Sequence, residues 1–210
     1  MKKVYVNDKC LYLTDYQSRV VPSPSLLSMA YSGHDTIQHV INTFSKSKVY
    51  TAAEIFHPNF EELWDDFNEY FEMINAAGGL VLDENNRLLV IYRHNKWDLP
   101  KGKVEDKELP EHAAVREVQE ECGLAFCEII KPLPYTYHTY SLNNKQILKR
   151  TWWYLMRSNS NEVLKPQAEE GITELKWIIR NQLSEVYKNT FASIEALLKE
   201  EEESVFGRVE

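Results

Sequence analysis

The sequence has little glycine and little cysteine, with 7 glycines and 3 cysteines among 210 residues. The low glycine content excludes a collagen-like chain, and the low cysteine content excludes a small scaffold held together by disulfides. Cys10, Cys122 and Cys127 also lack the paired spacing of a zinc site, so we expect three reduced thiols. The 43% share of hydrophobic residues is instead typical of a chain that folds around a buried core.

No secretion or membrane segment is visible. The start, MKKVYVNDKC, contains basic residues without a following apolar run, which is unlike a signal peptide. Nowhere does the chain approach the roughly 18 consecutive apolar residues of a transmembrane helix. Together with the reduced cysteines, these absences predict a cytoplasmic protein that has no membrane partner.

Positive charge is also scarce. The chain has 24 Lys and Arg against 32 Asp and Glu, which gives a formal net charge of −8. Non-specific nucleic-acid binding needs clustered Lys and Arg, so we expect no nucleic-acid partner. An anionic small-molecule substrate would need cations supplied locally, and a metal ion is one such supply.

The sequence predicts a small α/β domain over residues 1–73. Two β-rich runs flank Asn7-Asp8, which is a hairpin signal. Helical spacing of apolar residues predicts a helix over 34–46, and a strand over 49–56 and a second helix over 59–74 follow it. The predicted order is ββαβα.

The second of these helices carries an aromatic stripe. Its apolar residues lie at helical spacing and are Phe60, Leu63, Trp64, Phe67, Tyr70 and Phe71. Such a stripe is typical of core packing. A homodimer interface is the alternative that the sequence leaves open.

Residues 74–210 predict a second, larger domain. Two strands flank the loop 83–86, and two β-rich stretches flank Asn143-Asn144. A short strand over 170–179 and a terminal helix over 181–203 follow. The pattern is that of a mixed sheet with one central and one terminal helix, an α+β layered domain.

The central helix gathers carboxylates on one edge. Pro110 suits the first helical turn and Gly123 suits the stop. At 3.6 residues per turn, Glu117, Glu120 and Glu121 fall within an arc of roughly 100°. Three neighbouring carboxylates repel one another unless they are protonated, spread into water or neutralised, and Mg²⁺ takes oxygen ligands of this kind. The spacing therefore favours a metal site.

The stretch from Gly102 onwards carries a recognisable motif. Gly102 is followed after five residues by Glu108, and after seven more by the run REVQEECGL at 116–124. This matches the Nudix box, G-x5-E-x7-R-E-U-x-E-E-x-G-U, at every fixed position, and Val118 and Leu124 fill its two aliphatic positions. The second part of the chain therefore resembles the Nudix hydrolase family, and residues 1–73 are not covered by the resemblance.

The resemblance implies a Nudix fold, an α/β/α sandwich around a mixed sheet, and Mg²⁺-dependent hydrolysis, with Mn²⁺ as the other metal. The implied substrate is a nucleoside diphosphate linked to another moiety. By position, Glu117, Glu120 and Glu121 are implied metal ligands, together with the backbone carbonyl at Gly102. Either Glu120 or Glu117 is implied as the base that takes a proton from water.

Four further residues around the box have implied roles. Arg116 is expected to orient a glutamate through a charge-assisted pair, and Glu108 to brace the loop against the helix. Lys101 and Lys103 flank the glycine and are candidates for phosphate contacts.

The substrate prediction comes from residues outside the box. The run WDLPKGK at 97–103 resembles the segment before the box in dinucleoside polyphosphate hydrolases and some MutT-like enzymes. In the family, a tyrosine at the position of Tyr140 is associated with dinucleoside polyphosphates. Lys149 and Arg150 are candidates for contacts with distal phosphates. Glu169 and Glu170 are the two candidates for the glutamate in a segment that resembles the family's downstream glutamate loop.

Other functions stay open at this point. A hydrolase of oxidised nucleoside triphosphates, of ADP-ribose or of inositol pyrophosphates would use the same box. A catalytically silent regulator that senses nucleotides belongs to a different class. The complete glutamate set favours an enzyme over that regulator.

Overall fold

The structure is a computed structural model that describes residues 1–16 and 20–207. It contains two compact units, formed by Met1–Ile74 with Tyr137–Arg150 and by Asn75–Thr136 with Thr151–Glu210. The division after Ile74 lies one residue from the predicted domain boundary after residue 73. The segment 137–150, which the sequence assigned to the second domain, packs with the first unit because its Tyr137 and Leu148 are buried in that unit's core.

The first unit consists of a sheet and two helices. In chain order its elements are β1 (Lys2–Val6), β2 (Lys9–Thr14), β3 (Leu26–Ala30), α1 (His34–Lys46), β4 (Ala52–Phe56) and α2 (Phe60–Glu69). β1 pairs antiparallel with β2, and β4 lies parallel between β2 and β3. The predicted hairpin is present, with Asn7 and Asp8 at φ values of 49° and 60°, as a tight two-residue turn requires.

Strand β3 is a feature that the sequence did not predict. The observed order is therefore βββαβα rather than ββαβα. β3 has only five residues and follows a stretch rich in serine and proline. Its sequence does not show the alternation of apolar and polar residues that indicates a strand. Its pairing with β4, which sets Leu27 opposite Ala53 and Met29 opposite Ile55, makes it a strand.

The aromatic stripe of α2 lies in the core of the first unit. Leu63 and Phe67 are fully buried, and Trp64 meets the ring of Tyr137 edge-on with centroids 5.1 Å apart. Phe60, Trp64 and Tyr70 pack partly buried against the same core. α2 ends at Glu69, before its predicted end, because the next strand begins at Glu72. The stripe thus serves intramolecular packing, and its alternative role in a homodimer interface stays a prediction.

The second unit is built from a sheet between helices. Its elements are β5 (Glu72–Leu82), β6 (Leu88–Arg93), β7 (Lys96–Asp98), β8 (Lys101–Lys103), α3 (Pro110–Cys122), β9 (Glu128–Leu142), β10 (Lys145–Arg157), β11 (Ile172–Ile178), α4 (Leu183–Tyr187) and α5 (Ala192–Phe206). The strand order is β11-β6-β5-β10-β9, with β7 paired to β6 and β8 paired to β5. The segment 137–150 is the tip of the β9–β10 hairpin.

Two separate apolar clusters lie on the two faces of this sheet. Leu89 and Ile91 of β6 belong to the cluster that contains Val118 of α3. Leu88 and Val90, which alternate with them along the strand, belong to the cluster that contains residues of α4 and α5. This arrangement is the predicted α/β/α sandwich, which is confirmed.

The predicted terminal helix over 181–203 is two helices. The break between α4 and α5 is held by β7 and the turn before it. The Trp97 N–H donates to the Asn189 carbonyl at 2.8 Å, the Asn189 amide donates to the Asn95 carbonyl at 2.8 Å, and the Thr190 hydroxyl donates to the Trp97 carbonyl at 2.8 Å. No helix in the described part of the chain is long and apolar enough to cross a membrane.

We expect Phe67→Ala to lower the free energy of unfolding by about 3–5 kcal/mol, because it removes a fully buried ring and leaves a cavity. Urea denaturation followed by tryptophan fluorescence measures the change. Asp65→Ala, on the exposed face of the same helix, is the control and should stay within about 0.5 kcal/mol of wild type. Equal stability of the two variants would contradict the assignment of the stripe to the core.

Candidate active site

The buried side chains of helix α3 determine which face of the helix is turned towards the sheet. Pro110 occupies its first turn, and Gly123 ends it in the left-handed conformation at φ 70°. Ala113, Ala114 and Val118 are fully buried against the sheet. Because these side chains face the core, the glutamates on the adjacent edge of the helix face the loop that contains β8.

Glu121 is the buried member of the glutamate set. Glu121 is only 1% exposed to solvent. One of its carboxylate oxygens accepts a hydrogen bond from the Lys101 N–H at 2.8 Å, and the other accepts one from Arg93 Nη1 at 3.1 Å. Burial raises the pKa of Glu121 to about 7, although Lys101 and Arg93 oppose the shift. The carboxylate thus joins α3 to β8 and to the end of β6.

Asp98 forms the far side of the same buried network. It accepts Arg93 Nε at 3.0 Å, Lys101 Nζ at 2.5 Å and the Leu99 N–H at 2.8 Å. Burial works to raise the pKa of Asp98, but Lys101 and Arg93 outweigh it and hold the pKa below its usual value. Two cations and two carboxylates therefore share one buried cluster.

Arg93 and Asp98 were not singled out from the sequence. The available signal was weak, since Arg93 ends an otherwise apolar strand and Asp98 precedes the Leu-Pro pair of the loop. Only the antiparallel register of β6 and β7, which sets Arg93 opposite Lys96, places the two side chains together.

The two lysines beside Gly102 have different surroundings. The Lys101 side chain is buried, and its ammonium lies on Asp98, whereas the sequence predicted a phosphate contact. Lys103 is exposed, and its carbonyl accepts Arg116 Nη2 at 3.0 Å. Of the two, only Lys103 has an exposed side chain, and its phosphate contact stays a prediction.

Gly102 and Glu117 approach each other closely. A Cβ atom on Gly102 would lie 1.9 Å from Glu117 Oε2, so no other residue fits at this position without moving the carboxylate. Burial raises the pKa of Glu117, Arg116 opposes the shift, and Glu120 and Glu170 add to it. The backbone of β8 at Gly102 and the Glu117 carboxylate therefore lie directly against each other.

Arg116 connects the loop to the glutamates. Its Nε and Nη2 donate to the two oxygens of Glu108, both at 2.9 Å, and its Nη1 donates to Glu117 at 2.7 Å and Glu120 at 3.0 Å. The Arg116 fork holds the pKa of Glu108 at about 2. These contacts agree with the supporting roles that the sequence suggested for the two residues.

The three glutamates of α3 differ in how far their side chains are exposed to solvent. Glu121 is buried, Glu117 is partly buried and Glu120 is exposed. Within residues 1–16 and 20–207, the group of three side chains whose ligand atoms lie within 4.8 Å of one another is instead His34, Asp66 and Glu69, in the first unit. The three α3 glutamates do not form such a group: Arg93 and the Lys101 N–H hold Glu121, whereas Arg116 holds Glu117 and Glu120.

The segment after β10 carries Glu170 to this edge of the helix. The Lys165 N–H donates to the Cys122 carbonyl at 2.9 Å, and the Gln167 N–H donates to the Glu121 carbonyl at 3.2 Å. A 3₁₀ turn over Ala168–Glu170 follows. Glu170 acts electrostatically on Glu117 and Arg93, so the structure brings it together with the glutamates.

Tyr140 and Arg150 belong to the first unit. The rings of Tyr140 and His138 stack with centroids 5.4 Å apart and planes 28° apart, and burial raises the pKa of Tyr140. Tyr137, by contrast, is buried in the core of that unit. The predicted substrate contacts of Tyr140 and Arg150 stay predictions.

Arg116→Gln should raise the pKa of Glu108 from about 2 towards the ordinary value near 4.3, because the guanidinium fork that stabilises the carboxylate is lost. Titration of side-chain carboxyl carbons by NMR measures it. In wild type the pair stabilises the fold above pH about 4.3, and this stabilisation is lost as the pH falls through about 2.

The internal control is Glu84, whose pKa of about 2 comes mainly from hydrogen bonds with Ser160. It should not change in the Arg116 variant. A Glu108 pKa that stays at about 2 without the guanidinium would show that the fork is not its cause.

Comparison with known proteins places more than half of the chain in a family. The NUDIX domain model matches residues 73–198. Nudix hydrolase 25 of Arabidopsis thaliana is 31% identical over 122 residues, which are 48% of this chain and 69% of that protein. The 8-oxo-dGTP diphosphatase of Proteus vulgaris is 39% identical over 57 residues, which are 24% of this chain and 51% of that protein.

A solved structure of a C. elegans Ap4A hydrolase binary complex covers 60% of this chain and 93% of its own, with 20% identity and a TM-score of 0.46. The NUDIX model covers more than half of the 210 residues and includes Glu108, Glu117, Glu120, Glu121 and Glu170. The chain therefore belongs to the Nudix family and is a Nudix hydrolase that acts on pyrophosphate bonds.

Proposed function

We propose that this Nudix hydrolase cleaves a pyrophosphate bond in a dinucleoside polyphosphate, with residues 74–210 as the hydrolase domain and a divalent metal ion as cofactor. The observation that carries the substrate class is Tyr140. It follows the box at the family's dinucleoside polyphosphate position, and its ring stacks on His138 on one strand. Base stacking on an aromatic ring contributes roughly 1–3 kcal/mol per base.

The donor set of α3 fits Mg²⁺ or Mn²⁺. Glu117, Glu120 and Glu121 offer hard carboxylate oxygens from one helix edge, which is the ligand type that these ions prefer. At Gly102 the Glu117 carboxylate occupies the space that a Cβ would fill, so glycine is required there, and the family resemblance adds the Gly102 carbonyl to the donor set. The bound metal would neutralise charge on phosphate oxygens and activate a water.

Side chains around the metal would have three roles, which are metal binding, proton transfer and orientation of the glutamates. Glu121 is held by Lys101 and Arg93 and serves as a fixed ligand. Glu120 is exposed at the helix surface, where its carboxylate can take a proton from water, with Glu117 as the alternative base. Arg116 keeps both of these carboxylates oriented through Nη1.

Two of three further residues would contact the phosphates, and the third would add a carboxylate for the metal. Lys103 is exposed next to Gly102 and supplies a cation for the leaving phosphate. Arg150 would bind distal phosphates. Glu170, which lies near Glu117, extends the carboxylate set towards the substrate.

Hydrolysis of oxidised nucleoside triphosphates is the second candidate. The 39% identity to an 8-oxo-dGTP diphosphatase favours it, although the match spans only 57 residues around the box. The two candidates differ in whether a second nucleoside must be bound.

Among Ap4A, Ap6A, 8-oxo-dGTP, ADP-ribose and diphosphoinositol polyphosphates, we expect Ap4A and Ap6A to have the highest kcat/KM with Mg²⁺. Tyr140→Ala should raise the KM for Ap4A by roughly 5- to 100-fold through lost stacking. Tyr135→Ala, an exposed tyrosine of the same strand, is the matched control and should leave KM unchanged. If 8-oxo-dGTP is the best substrate and Tyr140→Ala has no effect, the dinucleoside assignment is wrong.

Glu121→Gln should lower kcat by at least about 10³-fold, because the variant loses a charged ligand from the metal site. Chelation of the metal with EDTA should abolish turnover by wild type. Glu105→Gln, an exposed acid of the preceding loop, should keep wild-type activity.

These steady-state rates also test the silent-regulator alternative. A wild-type protein that binds Ap4A but hydrolyses none of the five substrates in Mg²⁺ or Mn²⁺ would support a nucleotide sensor instead. The proposed enzyme requires turnover that depends on both the metal and Glu121.

A further inference from the structure

Arg93 has an unusually constrained position for a charged residue. It ends β6, where it pairs with Lys96 of β7 on one side and with Ile172 of β11 on the other. Its side chain is 13% exposed. Strands on both sides thus fix its backbone, and the guanidinium points into the buried cluster next to α3.

The two ends of the guanidinium hold two different carboxylates. Nε donates to Asp98 at 3.0 Å and Nη1 donates to Glu121 at 3.1 Å. Asp98 is itself held by the Leu99 N–H and by Lys101 Nζ, so it cannot swing away. The planar guanidinium reaches the two acceptors with two different nitrogens in a fixed geometry, which the single nitrogen of a lysine ammonium does not reproduce.

Arg93 also faces the turn that carries Glu170. Ile172, its partner in β11, follows that turn by two residues, with Gly171 at φ 72° between them. Glu170 acts electrostatically on Arg93. The register of β11 on β6 thus places the turn that carries Glu170 next to the backbone of Arg93.

We propose that Arg93, braced by Asp98, is a positioning residue that fixes the orientation of the Glu121 carboxylate. The proposal rests on the proposed function, since Glu121 is the residue whose orientation would matter for metal binding. Arg93 does not touch substrate in this role. Removing its fork should loosen Glu121 while α3 stays packed on the sheet.

The test compares R93K with R87K. Arg87 lies just before the other end of the same strand and holds the buried Asp83 through Nε at 2.6 Å, so R87K also removes an arginine fork from a buried aspartate. We expect R93K to weaken Mn²⁺ binding, measured by electron paramagnetic resonance without substrate, by about 10- to 100-fold, as for other residues that orient a metal ligand. R87K should bind Mn²⁺ as wild type does.

Kinetics give the second readout. R93K should lower kcat by a similar factor and leave KM within about threefold, since ground-state substrate contacts are unchanged. Its melting temperature should fall no further than that of R87K. Wild-type Mn²⁺ affinity and kcat in R93K, or equal losses in R87K, would overturn the proposal.

D98N is the second variant and carries the test if R93K does not fold. It removes the charge that braces Arg93 without touching Glu121, and it should weaken Mn²⁺ binding in the same direction. Wild-type affinity in D98N would show that no brace is needed and overturn that part of the proposal. If wild type hydrolyses none of the panel, the proposed function fails, while Mn²⁺ binding still decides whether Arg93 positions Glu121.

Discussion

The buried Glu121 carboxylate is the constraint on which the rest of the site depends. Its two oxygens are shared between the Lys101 N–H and Arg93, so one side chain joins α3, β8 and β6. A buried charge of this kind persists only when it is paired and hydrogen-bonded, and Asp98 completes the pairing. Glu121 thereby holds helix α3 against the loop that contains β8, and the position of α3 in turn sets the positions of Glu117 and Glu120.

Two further contacts turn this anchor into a site. Gly102 lets the backbone of β8 pass beside Glu117, where a Cβ would overlap the carboxylate. Arg116 then ties Glu117 and Glu120 to Glu108 in the preceding loop. Buried, partly buried and exposed carboxylates thus lie along one helix edge, which suits a fixed ligand at one end and proton transfer with water at the other.

The predictions from sequence succeeded where the signal is local. Helix α1 follows from its apolar spacing, α3 from Pro110 and Gly123 at its ends, and the hairpin from the turn residues Asn7-Asp8. Strand β3 was missed because its pairing with β4 is long-range. The break between α4 and α5 was missed for the same reason. It contains no helix-breaking residue and is produced by contacts with β7 and the turn before β7.

The sequence by itself determined the family motif and the helix edge shared by Glu117, Glu120 and Glu121, because both are encoded in residues close together along the chain, and the motif in turn implied the layered fold. Only the tertiary structure decided that Lys101 faces Asp98, that Arg93 and Asp98 hold Glu121, and that residues 137–150 pack with the first unit. Those outcomes depend on strand register and on burial. Both arise when distant segments meet, and no local pattern specifies which charges will then share a buried cluster.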